Sequence, residues 1–346
     1  MLTLASLADV WKANLLSPYI LFFFLGVIAA LIRSDLRIPK AFARTMALYL
    51  LFTIGFKGGL ELRKSGFTQE SMLAIAAAMV LSTLTPLYIF PLLKKKLGQA
   101  TAAGVAATYG SVSAVTFIAA VSLLQQRELP SGGHMVAAMA AMEFPALIVG
   151  VLLARLGSKN AEAVTSAVSS HASGDASHKK PHGLKSVLLE SVTNGSIVLL
   201  MGSMLVGFIT DTKNAALTAP LWKDLFYGIL CFYLLDLGLI AGRNIKQLLK
   251  AGPFVIAAGF VLPPLNAMLG LALAKLANLS HGDGFLLTVM AASASYIAAP
   301  AALRIAVPEA KASIYVPMAL TLTFPFNIMI GLPVYWAVCE WAWKVN

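Results

Sequence analysis

Ten long apolar runs dominate this chain, and few folds can accommodate them. Each run is about long enough for an α-helix to cross the roughly 30 Å hydrocarbon core of a bilayer. Only 12% of the 346 residues are charged, about half the share that a soluble domain carries. The chain is therefore predicted to be an integral membrane protein. The runs cover residues 18–32, 41–60, 71–93, 100–124, 133–156, 187–209, 221–242, 253–276, 284–307 and 312–341.

Two short motifs recur at an offset of 180 residues. Residues 142–150 resemble 322–331 around their Phe-Pro pairs, and residues 58–63 resemble 238–243. Five runs, an odd number, lie on each side of the polar segment 157–185, so the second half must enter the membrane from the opposite side. The halves are therefore predicted to be inverted repeats, related by a two-fold axis in the membrane plane.

The predicted fold class is an all-α polytopic membrane protein of ten transmembrane helices in two inverted five-helix repeats. The first repeat is 1–156, the second is 187–346, and 157–186 is a linker rich in Ser, Ala, His and Lys. Most of the 26 lysines and arginines fall in loops on one side, and basic residues accumulate in cytoplasmic loops. This pattern predicts a cytoplasmic linker and both termini outside.

Several function classes find no support in the sequence. The net charge of +11 is explained by those loops, and no basic, aromatic-rich module for nucleic acid is present. His171, His178 and His182 lie in the linker at spacings that match no compact metal site. The sequence has no phosphate-binding loop, dinucleotide fingerprint or nucleophile elbow, so neither an enzyme nor an ATP-driven pump is predicted.

Small and hydroxyl side chains interrupt the fourth run of each half. In the second half Pro300 predicts a kink or break, because proline removes a backbone donor and clashes with the preceding turn. Two broken helices that meet near the midplane would direct positive N-terminal ends at one point, which can hold an anion. Close packing of helices is the alternative explanation for the small residues. The predicted anion site consists of Gly110, Ser111, Ser113, Ser293, Ser295 and Tyr296.

A carboxylate inside a membrane helix costs about 2.5–3.5 kcal/mol on insertion scales and needs a reason. Glu143 precedes Phe144-Pro145 within the fifth run, and its counterpart in the second half is Thr323. Oxygen ligands of this kind suit a hard cation such as sodium. Glu143, Thr116 and Thr323 are therefore the candidate sodium ligands, and no cofactor is predicted beyond this coupling ion. A proton relay, or a protonated glutamate bonded to backbone, remains an alternative for Glu143.

At these residues the chain resembles the cyanobacterial sodium-dependent bicarbonate transporter family, as a divergent bacterial member. The matching elements are Gly58-Gly59 with Arg63, then residues 109–116, 143–147 and 293–304. Each element alone is a weak motif, but their order and spacing together are fairly specific. The likeness covers nearly all the spans and excludes the segment between the halves.

The resemblance implies a homotrimer in the plasma (inner) membrane of a bacterium, and each subunit is expected to have ten helices in two inverted repeats. It also implies a moving core of helices 3–5 and 8–10 against a scaffold of helices 1, 2, 6 and 7. Members of the family import a small anion by an elevator-type shift that the inward sodium gradient drives. A cytoplasmic PII-like signalling protein inhibits some of them.

The chain differs from the family pattern near the predicted anion site. The family typically has an aspartate where this chain has Tyr296, and Glu143 replaces an aspartate before the proline. A tyrosine hydroxyl can donate to an anion but cannot replace a negative charge beside a cation. A sodium symporter for bicarbonate is the main prediction. The alternatives are a transporter of another small carboxylate or inorganic anion, an anion channel, and a membrane receptor.

Overall fold

The computed structural model describes residues 15–66, 68–156 and 195–344. The predicted linker with its three histidines, and the first part of the predicted sixth span, lie outside these residues. Across the described ranges the secondary structure is helical, without a strand. The helices are α1 Pro18–Leu31, α2 Lys40–Ser65, α3 Gln69–Leu97, α4 Gln99–Gly110, α5 Ala114–Gln126, α6 His134–Arg155, α7 Gly195–Ile209, α8 Thr212–Leu217, α9 Leu225–Lys250, α10 Pro253–Leu276, α11 His281–Ala292, α12 Ala298–Ala306 and α13 Ala312–Lys344.

In the described part of the chain, six helical segments are long and apolar enough to cross a membrane. One of them joins α4 and α5, and another adds a π-helical turn, Pro220–Asp224, before α9. Helix α1 and the Val198–Ile209 part of α7 are apolar but shorter. Many large apolar side chains on these helices are exposed, including Met268 at 70%, as lipid-facing helices require. The fold is that of a multi-pass membrane protein.

Glycines allow two helix pairs, α1 with α9 and α2 with α7, to pack closely. A Cβ atom at Gly26 would overlap the carbonyl oxygen of Leu235, and one at Gly238 would overlap that of Phe23. In the other pair a Cβ at Gly59 would overlap the carbonyl oxygen of Met204. Such backbone-to-backbone approach is how membrane helices associate when lipid supplies no hydrophobic force between them.

Substitution of Gly238 by alanine is expected to destabilise the protein by about 2 kcal/mol, because the new methyl group forces α1 and α9 apart. Gly228→Ala is the matched control, since this glycine lies in the same helix and a Cβ there meets nothing within 4 Å. Thermal unfolding in detergent measures both variants. Equal melting temperatures for the two variants would contradict the close contact.

Helices α6 and α13 of the core each contain a proline, which is accommodated by a side-chain hydrogen bond in α6 and by π-helical turns in α13. Ser82 of α3 bridges a broken turn of α6: its Oγ donates to the Met142 carbonyl and accepts from the Ala146 N–H at 3.0 Å. In α13 the stretches Met318–Thr323 and Asn327–Gly331 are π-helical and flank the second Phe-Pro pair. Single π-helical turns occur frequently at functional sites. Pro145 of α6 and Pro325 of α13 therefore lie within helices that continue past the proline through a local rearrangement.

Candidate functional site

The first helix break separates α4 from α5 at residues 111–113. Ser113 caps α5, where its Oγ accepts a hydrogen bond from the Thr116 N–H at 3.2 Å. Gly110 ends α4 in close packing, because a Cβ there would lie 2.6 Å from Pro86 Cγ and 3.0 Å from Ala146 Cβ. Gly110 thus contacts neighbouring helices and is not among the residues that line the cavity described below.

The second helix break occupies residues 293–297, between α11 and α12. Ser295 Oγ accepts from the Ala299 N–H at 3.2 Å. The sequence predicts a break centred on Pro300, but the observed break lies before this residue. Pro300 instead sits in the first turn of α12, where proline is tolerated because that turn has no intrahelical N–H bonds to lose.

The two breaks contact each other directly. The Ser113 N–H donates to Ser293 Oγ at 2.9 Å, and the Ser295 N–H donates to the Thr108 carbonyl at 2.9 Å. All four residues are buried. A hydroxyl group of the second break therefore accepts from the first break, and a carbonyl near the end of α4 accepts from the second break, so both N–H groups are satisfied.

A small cavity of about 70 Å³ lies where the N-termini of α5 and α12 converge. The first N–H groups of each helix have no intrahelical acceptor, so these ends carry positive partial charge. The Tyr296 hydroxyl is buried without a hydrogen-bond partner among the described residues. The volume corresponds to about two water molecules at roughly 30 Å³ each. Its lining includes Ser113, Ala114, Val115, Glu143, Ser295, Tyr296 and Ala298.

Glu143 contributes the carboxylate of this small cavity. It is 8% exposed, and Ser111 Oγ donates to its Oε2 at 2.6 Å. Among the described residues, no lysine, arginine or histidine forms an ion pair with it. A buried carboxylate with a single hydroxyl partner is costly, and a bound cation or proton removes that cost.

The other two candidate cation ligands lie apart from the cavity lining. Thr116 Oγ1 donates to Ser113 Oγ at 3.0 Å. Thr323 Oγ1 donates to the Gly259 carbonyl at 3.1 Å and shares a 2.5 Å hydrogen bond with the Tyr109 hydroxyl. The sequence-based site omits Tyr109, although it lies in the interrupted segment. In the part of the chain that the structure describes, no cluster of three or more His, Cys, Asp or Glu residues could hold a metal ion.

Converging helix ends and a carboxylate around a cavity between apolar helices are features typical of a class of protein, the helical membrane transporters. A family model described as the Na+-dependent bicarbonate transporter superfamily matches residues 18–340. The chain belongs to this superfamily, which confirms the resemblance found in the sequence. The comparison with curated proteins gives no match. Membership of a transporter family favours transport over an enzymatic activity.

Proposed function

We propose that this protein is a sodium-coupled symporter that imports a small anion, bicarbonate in the first instance. The carrying observation is the small cavity, which the N-termini of two helices, Tyr296 and Glu143 all line. The helix ends and hydroxyl groups of Ser113 and Ser295 provide donors for the anion. Ser111 and Ser293 support the site by bonding Glu143 and the Ser113 N–H.

The proposed coupling between sodium and the anion follows from the charges of the two ions and of Glu143. Two unit charges 4 Å apart interact by about 4 kcal/mol at an effective dielectric constant of 20. An anion in the small cavity is therefore repelled by an ionised Glu143 until a sodium ion binds that carboxylate. Each ion then increases the affinity of the other, and this reciprocal coupling is what symport needs. Thr116 and Thr323 remain candidate ligands that a rearrangement of the site would bring to the ion.

Several contacts support two inverted five-helix repeats with broken helices that cross near the midplane. The Ser113–Ser293 hydrogen bond joins residues 180 positions apart. Thr108 Oγ1 bonds the Gly104 carbonyl, and Thr288 Oγ1 bonds that of Gly284 in the same way. The α1–α9 and α2–α7 pairs are equivalent under this offset. In the proposed elevator mechanism these pairs form the scaffold, and the remaining long helices carry the site.

The proposed setting of the transporter is the plasma (inner) membrane of a bacterium. Both termini lie outside, the linker lies in the cytoplasm, and the protein assembles as a homotrimer. A cytoplasmic PII-like protein is a proposed regulatory partner. The positive-inside pattern of the loops supports the proposed orientation. The bacterial membrane, the homotrimer and the PII-like partner are proposed from the family resemblance of the sequence alone.

Uptake of radiolabelled bicarbonate into proteoliposomes tests the proposal. An inward sodium gradient is expected to drive accumulation above equilibrium, whereas an equal potassium gradient is not, because potassium is too large to replace sodium at a compact oxygen site. Empty liposomes are the control. Equal bicarbonate uptake with and without sodium would exclude symport. An internal bicarbonate concentration that never exceeds its equilibrium value would favour an anion channel.

Transport of a different small anion is the second candidate function. Tyr296 lines the small cavity where the family typically has an aspartate, so one negative charge is missing there. Competition by formate, acetate, nitrate and sulfate against labelled bicarbonate separates the candidates. Stronger binding of one competitor than of bicarbonate would identify it as the substrate.

A further inference from the structure

A wide cavity of about 1100 Å³ adjoins the small cavity, and Leu51, Tyr296 and Ile297 line both. Its other walls come from α2, α7 and α9. Tyr296 thus stands between the proposed anion site and a space large enough to hold many water molecules. A solute that leaves the small cavity past Tyr296 enters the wide cavity.

Asp236 of α9 is the carboxylate in the wall of the wide cavity. It is 8% exposed, and no hydrogen bond or ion pair joins it to another described residue. Arg243 is the cation whose field reaches it, but the Arg243 guanidinium donates to the Leu36 carbonyl at 2.8 Å. Arg44 also lines this cavity, and its side chain is exposed. An unpaired carboxylate at membrane depth is expensive and marks a functional position.

An opposite charge lies on α2, one residue away from the position that the 180-residue offset of the repeats assigns to Asp236. A separate cavity of about 280 Å³ lies between α2, α5 and the start of α6. Four residues of α9 line the wide cavity, and four residues of α2 line the other cavity. The two sets are related by a constant offset of 179 positions. The α9 residues are Tyr233, Asp236, Leu237 and Ile240, and their α2 counterparts are Ile54, Lys57, Gly58 and Glu61. Asp236 therefore lies near the position that corresponds to Lys57, a positive group that shares its cavity with Glu61.

We propose that Asp236 is a second sodium site, separate from Glu143, on the α9 wall of the wide cavity. This inference rests on the proposed sodium-coupled transport. The carboxylate supplies the negative oxygen ligands, and water in the wide cavity completes the coordination shell, as is common for weakly held hard cations. Because Asp236 and Tyr296 line the same cavity, the charge of Asp236 acts on any anion that passes.

The second sodium site makes anion passage conditional on the cation. With Asp236 ionised and unoccupied, its carboxylate repels an anion that leaves the small cavity past it. Sodium at Asp236 cancels this charge and lets the anion cross the wide cavity as part of a neutral pair.

Sodium binding to the purified, detergent-solubilised protein tests the second site without any anion. The probe is radioactive sodium chloride, with choline chloride as the balancing salt. Asp236→Asn is expected to weaken one of two sodium-binding steps by about tenfold or more, as loss of a metal-site partner does. Asp224→Asn is the matched control, because Asp224 is an exposed aspartate at the start of the same helix. Asp236→Glu keeps the charge and should retain binding, which guards against a folding defect.

The outcomes separate the second site from the proposed function. If Asp236→Asn loses one sodium-binding step and Glu143→Gln loses the other, the result supports both the second sodium site and the proposed sodium coupling. If Asp236→Asn binds sodium as the wild type does, the second site is overturned while Glu143 and symport stand. If Asp236→Asn loses a sodium-binding step but bicarbonate uptake by the wild type does not depend on sodium, the second sodium site stands and the proposed symport is wrong.

Discussion

Replacement of Glu143 by glutamine is expected to lower sodium-driven uptake about 100-fold, in line with the loss of a metal ligand. Glutamine preserves the shape of the side chain and an oxygen that can accept from Ser111, but it removes the charge that holds sodium. The fold should persist, because a neutral amide costs less inside a membrane than a carboxylate does. Initial uptake rates in proteoliposomes, with and without a sodium gradient, measure the effect.

Two further variants control the Glu143 experiment. Glu143→Asp retains the carboxylate on a shorter arm and should keep part of the sodium dependence. Glu309→Gln removes an exposed glutamate from the loop between α12 and α13 and should behave as the wild type. Wild-type sodium dependence in Glu143→Gln would exclude Glu143 as the coupling carboxylate. Uptake driven by a proton gradient alone would assign it to a proton relay.

The helix breaks are the part of the site that the sequence predicts best. Local composition is sufficient here, because residues 108–116 and 293–300 concentrate glycine, hydroxyl groups and proline within otherwise apolar helices. The structure has both breaks, at residues 111–113 and 293–297. The offset of the second break from Pro300 reflects a rule of helix starts: proline fits the first turn and so begins a helix more readily than it interrupts one.

Contacts between distant helices could not be derived from the sequence. The Tyr109–Thr323 hydrogen bond joins residues 214 positions apart, and its existence depends on the rotation of α4 and α13 about their axes. The same rotation decides that Glu143 faces the small cavity while Thr116 and Thr323 bond elsewhere. Residue type indicates which side chains can bind an ion, whereas helix packing decides which of them converge.

The role of Gly110 illustrates this limit. Its position at a helix break predicts a backbone contact with the anion, but its Cα hydrogens face Pro86 and Ala146. Glycine satisfies two demands equally well, a break in a helix and close approach of a neighbour. Only the neighbours distinguish the two, and the sequence does not name them. Ala114, which follows the break, does line the small cavity.

A carboxylate introduced at Ala114 is expected to abolish anion binding without unfolding the protein. Ala114 is the first residue of α5 and lines the small cavity. Aspartate at a helix N-terminus is stabilising by about 0.3–1 kcal/mol. A like charge about 4 Å from the substrate costs about 4 kcal/mol at an effective dielectric constant of 20, which corresponds to about 1,000-fold in anion affinity. Bicarbonate-dependent thermal stabilisation and uptake measure the loss.

Ala114→Asn is the control, because asparagine has the size of aspartate and no charge. It should retain anion binding within about tenfold, the cost of one imperfect polar contact. Sodium binding should persist in Ala114→Asp, since a second carboxylate beside Glu143 attracts the cation more strongly. If Ala114→Asp transports bicarbonate with the wild-type KM, the substrate does not bind at the N-terminus of α5. If Ala114→Asn fails as completely as Ala114→Asp, volume rather than charge limits the small cavity. The pair of variants therefore distinguishes an anion held by helix ends from a solute that merely fits the space.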